Sequence, residues 1–254
     1  ADAWITLATI LRVRGRYAES DAACRALGRV GPALYGLACL AENAGLRGDH
    51  ASARDTLSGL LADPALQGAQ QAGTRQWLFT TLAEVEELAG RPAAAEGFYK
   101  QALRAAPSGY LLIAYSDYLL RQNRPAELPA LLAREPRSDA VLLRLAIAAR
   151  RPGGMGGARK DIDELQARFD AAAQRPGNAE VHAREGAMFA LDVEGDARRA
   201  LALARANVRL QREPIDLLLL ARAANAADDE EARSELKALM QGTGLRDARV
   251  DALL

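Results

Sequence analysis

Charge imbalance is the first thing this chain lacks, because 33 basic and 33 acidic residues give a formal net charge of zero over 254 residues. Coating nucleic acid or an anionic membrane needs surplus positive charge, so neither is expected as a partner. Long apolar runs are missing too: no uncharged stretch approaches the ~18 residues that span a bilayer. Aromatics make up only 5% of the chain and β-branched residues are scarce, which excludes most sandwiches and barrels. Two cysteines and two histidines leave little material for a zinc site or a disulfide-rich scaffold. Lysine is nearly absent, with Lys100, Lys160 and Lys237 against a large excess of arginine. That bias, with heavy alanine use, points to a GC-rich bacterial genome. The chain opens at Ala1 with no methionine, basic n-region or apolar h-region. Any signal peptide is therefore expected to be already removed, which would make the protein exported or periplasmic; without one it is cytoplasmic.

What the chain does have is helix-forming residues. The 56 alanines and 39 leucines account for 95 of 254 positions. Short polar turns recur at Gly15-Arg16-Tyr17, Gly48-Asp49-His50, Gly90-Arg91-Pro92, Asn123-Arg124-Pro125 and Gly195-Asp196-Ala197. Their steps are 33, 42, 33 and 72 residues, the last hiding one unit with its turn in the 151–157 stretch. Asp228-Asp229-Glu230 lies another 33 residues on. Seven units follow, at 1–32, 33–64, 69–107, 108–136, 137–176, 178–214 and 215–244, with a C-terminal cap at 245–254 over the last pair. Each unit reads as two helices. In the first, Trp4, Leu7, Ala8 and Leu11 share a face, Gly15 ends the helix, and Pro32 stops the second helix. A helix this short cannot bury its apolar stripe alone, so neighbouring pairs must stack.

The segment Trp4-x-x-Leu7-Ala8-x-x-Leu11, followed by Gly15-x-Tyr17-x-x-Ser20, Cys24 and Pro32, resembles a tetratricopeptide repeat. Leu82-Ala83, Gly90, Ala95, Tyr99, Ala102-Leu103 and Pro107 match more closely, and Ala187, Leu191, Gly195, Ala200, Ala204 and Pro214 repeat the pattern. Asn123 and Asp228 replace the turn glycine, and the fifth unit is irregular around Pro152. The resemblance implies an all-α, right-handed superhelical solenoid of about seven stacked helix-turn-helix repeats with a short C-terminal capping helix, spanning 1–244 with 245–254 as cap. It also implies a non-catalytic scaffold that binds a protein or peptide in its concave groove.

Chemistry has few candidates. His50 stands where the first unit has Tyr17, and it reads as structural. His182 and Glu185 share a helical face at i, i+3 and could hold a metal, but two ligands without a third favour a solvated face. Gly153-Gly154-Met155-Gly156-Gly157-Ala158-Arg159-Lys160 could cradle an anion, yet no Lys-Ser or Lys-Thr ends it, so it reads as a mobile turn. Those two places carry the alternative reading, a ligand-binding or enzymatic helical domain; a homo-oligomeric subunit joined through the first helix and the Leu-rich tail is the other. Glu86-Glu87 and the 228–231 acidic run read as solvated surface or first-turn acids. No nucleophile–base pair stands out, so the chain reads as no enzyme and needs no cofactor.

Binding has a better pattern. Tyr35, Trp77 and Tyr110 are separated by 42 and 33, the steps that separate Gly48, Gly90 and Asn123. Glu42, Glu84 and Asp117 repeat those steps seven residues later, with Thr80 and Ile113 at equivalent positions between. An aromatic row beside an acidic row suits an extended peptide with apolar or proline side chains and a basic residue. Cys24 and Cys39 fall symmetrically about the Gly31-Pro32 turn. They could form a disulfide across the hairpin, but burial as two small free apolar side chains is the commoner outcome and the one expected.

Overall fold

The computed structural model describes residues 1–153, 159–173 and 183–254. The described residues are all-helical, with 80% in helix and no strand, and their helices pack consecutively. In the first half lie α1 (Asp2–Val13), α2 (Tyr17–Val30), α3 (Ala33–Leu46), α4 (His50–Leu61), α5 (Ala72–Leu88), α6 (Pro92–Ala105) and α7 (Gly109–Arg121). The second half holds α8 (Leu128–Leu131), α9 (Asp139–Arg150), α10 (Arg159–Ala173), α11 (Ala183–Phe189), α12 (Ala197–Leu210), α13 (Pro214–Ala226), α14 (Glu230–Thr243) and α15 (Ala248–Asp251). Two single 3-10 turns, Pro64–Leu66 and Ala69–Gln71, fill the longer connection before α5, and a five-residue π segment, Ala190–Glu194, extends α11. No helix among the described residues is long and apolar enough to cross a membrane.

Local chemistry accounts for where these helices start and stop. Asp49, Ser108, Ser138 and Asp229 each accept a hydrogen bond from a backbone N–H in the first turn of α4, α7, α9 and α14. Each occupies one of the donors that a helix start leaves without an intrahelical partner. Left-handed residues then separate the helices of successive pairs: Gly15, Gly48, Gly90, Asn123, Gly153, Gly195 and Asp228 all have φ between 50° and 92°. The following N–H reaches back five residues, from Arg16 to the Leu11 carbonyl (2.8 Å), Asp49 to Ala44 (3.0 Å), Arg91 to Glu86 (2.9 Å) and Arg124 to Leu119 (2.9 Å). The Asp229 N–H makes the same bond to Ala224 at 3.0 Å. This is one helix stop reused, in which the left-handed residue lets the chain close on an orphan carbonyl. Asn123 and Asp228 tolerate that conformation because a short polar side chain does.

The chain divides into two compact units. The first comprises Ala1–Pro107, Val208–Asn225 and Asp229–Leu254; the second comprises Ser108–Asn207 and Ala226–Asp228. In the second unit α7 buries Leu111, Tyr118 and Leu119, while α9 buries Leu142, Leu143 and Ile147. A bidentate pair, Arg144 to Asp117 at 2.8 and 2.9 Å, joins these two helices. In the first unit Ala38, Ala41, Ala53, Leu57, Leu78, Leu82 and Val85 form one core from α3, α4 and α5, on which Leu34, Trp77 and Phe98 pack.

The tail does not simply cover the last pair. Residues 245–254 cross the turns of the second and third helix pairs, while Arg212, ahead of α13, and Thr243, at the end of α14, meet the turn of the first. The Arg212 N–H donates to the Val13 carbonyl (2.6 Å) and the Arg246 N–H to the Leu46 carbonyl (2.9 Å). Leu245 and Val250 are fully buried. The tail also touches the last pair, where Asn225 Nδ2 donates to the Leu253 carbonyl at 2.8 Å. A stack in which each pair touches only its neighbours has no contacts of such sequence separation. The expected capping helix is accordingly a strap, of which only Ala248–Asp251 is helical.

Candidate functional site

Two of the three aromatics expected to line a surface come together. Tyr35 on α3 and Trp77 on α5 are both partly exposed, with ring centroids 6.0 Å apart at a 37° tilt. Trp77 also rests on the core formed by α3, α4 and α5. Both helices carry these rings near their starts, so the pair sits at one end of the α3–α5 surface. Tyr110, Ile113 and Asp117 belong to the second unit, where Tyr110 is 67% exposed at the start of α7 and Ile113 is partly buried.

Thr80 is a correction. It is 1% exposed, because its hydroxyl donates to the Gln76 carbonyl (2.9 Å) and accepts from Gln76 Nε2 (2.9 Å). A hydroxyl satisfied inside its own helix and covered by packing offers a partner nothing, so Thr80 leaves the site. The acidic row also behaves differently from a solvated stripe. Arg12 Nη1 lies 2.9 Å from Glu42, Asp117 is held by Arg144, and Glu84 is half-buried. Glu42 and Asp117 thus already have an in-chain cation where an incoming basic residue was expected.

The Glu42 environment is mostly desolvating. Although 22% of its side-chain surface remains exposed, burial raises its pKa above the usual 4.5, and Arg12 offsets this only in part. Nearby Tyr17 is buried with its phenol lacking a hydrogen-bond partner, and desolvation pushes its ionisation up. Ser20 and Asn43 pin the three helices together: Ser20 Oγ donates to the Ala8 carbonyl (2.9 Å), and Asn43 Nδ2 donates to Ser20 Oγ (2.9 Å) and Asp21 Oδ1 (2.9 Å). Beside them Cys24 and Cys39 are joined in a disulfide with Cα atoms 5.6 Å apart. The expectation of two free thiols is therefore corrected. Antiparallel α2 and α3 bring the residues inside the distance a disulfide spans.

Glu86 and Glu87 are also corrected, since both are buried rather than solvated. Glu86 binds Arg54 and Arg91. Glu87 binds Arg249 of the strap, whose guanidinium also holds the buried Asp247 at 2.7 and 2.8 Å. Burying a carboxylate is costly unless it is paired, and these arginines supply the pairing. The adjacent Glu-Glu signal was visible in the sequence; its cations were not.

His50 is half-buried, and its Nε2 has no hydrogen-bond partner. The His182–Glu185 pairing cannot be placed because His182 lies outside the described residues, as does the Gly-rich turn from Gly154 to Ala158. Among the described residues no group of three or more His, Cys, Asp or Glu could hold a metal ion. Compared with protein-family models, characterised proteins and solved structures, the chain gives no significant match.

Proposed function

We propose that this chain is a non-catalytic scaffold of tetratricopeptide-like helix pairs that binds an extended peptide or protein segment. The observation that carries this reading is the Tyr35–Trp77 pair, two partly exposed rings at equivalent places on the first helices of successive pairs. Flat aromatic surface held on rigid helices anchors a segment at low entropic cost. Because Glu42 and Asp117 are held by arginines, apolar or proline side chains of the segment do most of the recognition. Regularly placed left-handed turns support the stacked-pair architecture, and the helical solenoid with its concave face is the arrangement the repeat spacing favours.

The disulfide supports an oxidising compartment, because such bonds persist outside the reducing cytosol. With 15 residues separating the cysteines, it contributes about 3 kcal/mol by restricting the unfolded chain.

Selection of a displayed peptide library on the folded chain tests the binding reading. Aliphatic and proline side chains should be enriched, and Trp77→Ala should weaken a selected peptide roughly 30-fold, the equivalent of ~2 kcal/mol for an aromatic anchor. Selected peptides that bind Trp77→Ala as tightly as the parent chain would remove this surface from the function.

A further inference from the structure

Three successive rungs join antiparallel α2 and α3. Nearest the hairpin turn, Gly28 faces Gly36 so closely that a Cβ on Gly36 would lie 2.7 Å from Gly28 Cα and 2.9 Å from the Cys24 carbonyl oxygen. Next comes the Cys24–Cys39 disulfide, and then the hydrogen bond from Asn43 Nδ2 to Ser20 Oγ at 2.9 Å. A glycine rung buries no side chain, and a single hydrogen bond adds little net stability. The covalent rung therefore carries much of the grip of α2 on α3. Tyr35 lies four residues before Cys39, one turn along the same face of α3. The bond thus anchors the turn next to the one that holds the Tyr35 ring against Trp77.

The two sulfurs have different surroundings. Asn43 Nδ2 is 3.6 Å from Cys24 Sγ and Ser20 Oγ is 3.9 Å from it, and both can turn a hydrogen toward a thiolate formed there. Cys39 packs in the apolar cluster with Ala8, Leu11 and Leu40. The Asn43 side chain is fully buried and its Oδ1 has no partner, so a thiol S–H beside this amide gains an acceptor that the disulfide leaves idle. Exchange is fastest when the departing sulfur is the better stabilised one.

We propose that the Cys24–Cys39 bond is a reversible redox switch on the Tyr35–Trp77 surface, opened by a dithiol reductant with Cys24 as the leaving sulfur. The switch rests on the binding reading given above. Both cysteines are at most 5% exposed, so exchange follows local opening of the α2–α3 hairpin. A thiolate of the dithiol attacks Cys39 Sγ, the S–S bond breaks, and its electron pair leaves on Cys24 Sγ, which takes up a proton. The second thiolate of the dithiol attacks its own sulfur in the mixed disulfide and releases Cys39, which is protonated in turn. Two electrons and two protons pass to the chain, and the reductant departs as its disulfide. With the bond open, α3 keeps its packing on α4 and α5 through Ala38 and Ala41 but loses its tie to α2 beside Tyr35, and the ring pair loosens.

Dithiothreitol titration of the folded chain, with thiols counted by maleimide mass shift, tests the switch. Affinity for a library-selected peptide should fall several-fold on reduction and return on reoxidation. Cys24→Ser with Cys39→Ser should bind as weakly as the reduced chain. Glutathione, quenched with acid, should be found on Cys39 by peptide mass mapping. In a Trp4→Phe chain, where Trp77 is the only tryptophan, emission should shift on reduction and return on oxidation. Unchanged affinity at full reduction, or emission that does not shift, overturns the switch. A reduced chain that loses its helical circular-dichroism signal makes the bond a brace and also overturns it. Glutathione on Cys24 overturns the leaving-sulfur assignment. Peptides that ignore Trp77→Ala while the bond is intact overturn the binding reading instead, and the Trp77 emission then still decides whether the bond governs the ring pair.

Discussion

Glu42 carries a consequence that can be measured residue by residue. Its pKa is raised by desolvation, so over the interval between the ordinary glutamate pKa and the folded one the native chain holds a proton that the unfolded chain has released. Stability from this group is therefore complete below about pH 4.5 and is lost as pH rises through the folded pKa. Glu42→Gln removes that loss. Urea unfolding at pH 4 and pH 7 should show the variant gaining stability relative to the parent as pH rises. A difference that is flat with pH, or that runs the other way, would mean Arg12 controls this carboxylate rather than burial. Other side chains at this scale show how far spacing alone can carry. Tyr35 and Trp77 were found by their 42-residue step, because equivalent positions on stacked helices become neighbours. The fates of Thr80 and Asp117 were not readable. Thr80 turns inward onto Gln76, and Asp117 meets an arginine 27 residues away that no local pattern announces.

Helices and their stops were the most legible level, because each depends on residues a few positions apart. The left-handed turns at Gly15, Gly48, Gly90, Asn123, Gly195 and Asp228 follow the sequence spacing for that reason. Contacts of the strap escape such reading, since Arg249 reaches Glu87 across 162 residues. Residues 243–248 also leave little room at three of the turn glycines. A Cβ on Gly15 would lie 2.6 Å from Thr243 Cγ2, on Gly48 2.9 Å from Arg246 Cγ, and on Gly90 3.1 Å from Ala248 Cβ. Gly195 has the same left-handed backbone but nothing within 4 Å. Gly195→Ala should thus cost about 1 kcal/mol, the penalty of a left-handed alanine. Gly15→Ala adds the collision with Thr243 and should cost at least about 2 kcal/mol. Equal denaturant midpoints for the two variants would show that Thr243 does not press on the first turn.

Helices that pack consecutively share stability between neighbours, and returning C-terminal contacts add to that in the first unit. Ties from Arg212 to Val13, Arg246 to Leu46 and Arg249 to Glu87, added to the disulfide between α2 and α3, hold the helices that carry Tyr35 and Trp77. A preorganised surface of this kind spends little entropy on binding, which suits a scaffold whose helices do not refold around each partner. Hydrogen exchange of the chain with and without a library-selected peptide tests this most directly. Slowed exchange concentrated in the N-terminal halves of α3 and α5, around Tyr35 and Trp77, and absent in the Trp77→Ala chain at equal peptide concentration, is the result expected. Protection that leaves α3 and α5 unchanged, or that survives Trp77→Ala undiminished, would contradict binding through the aromatic pair.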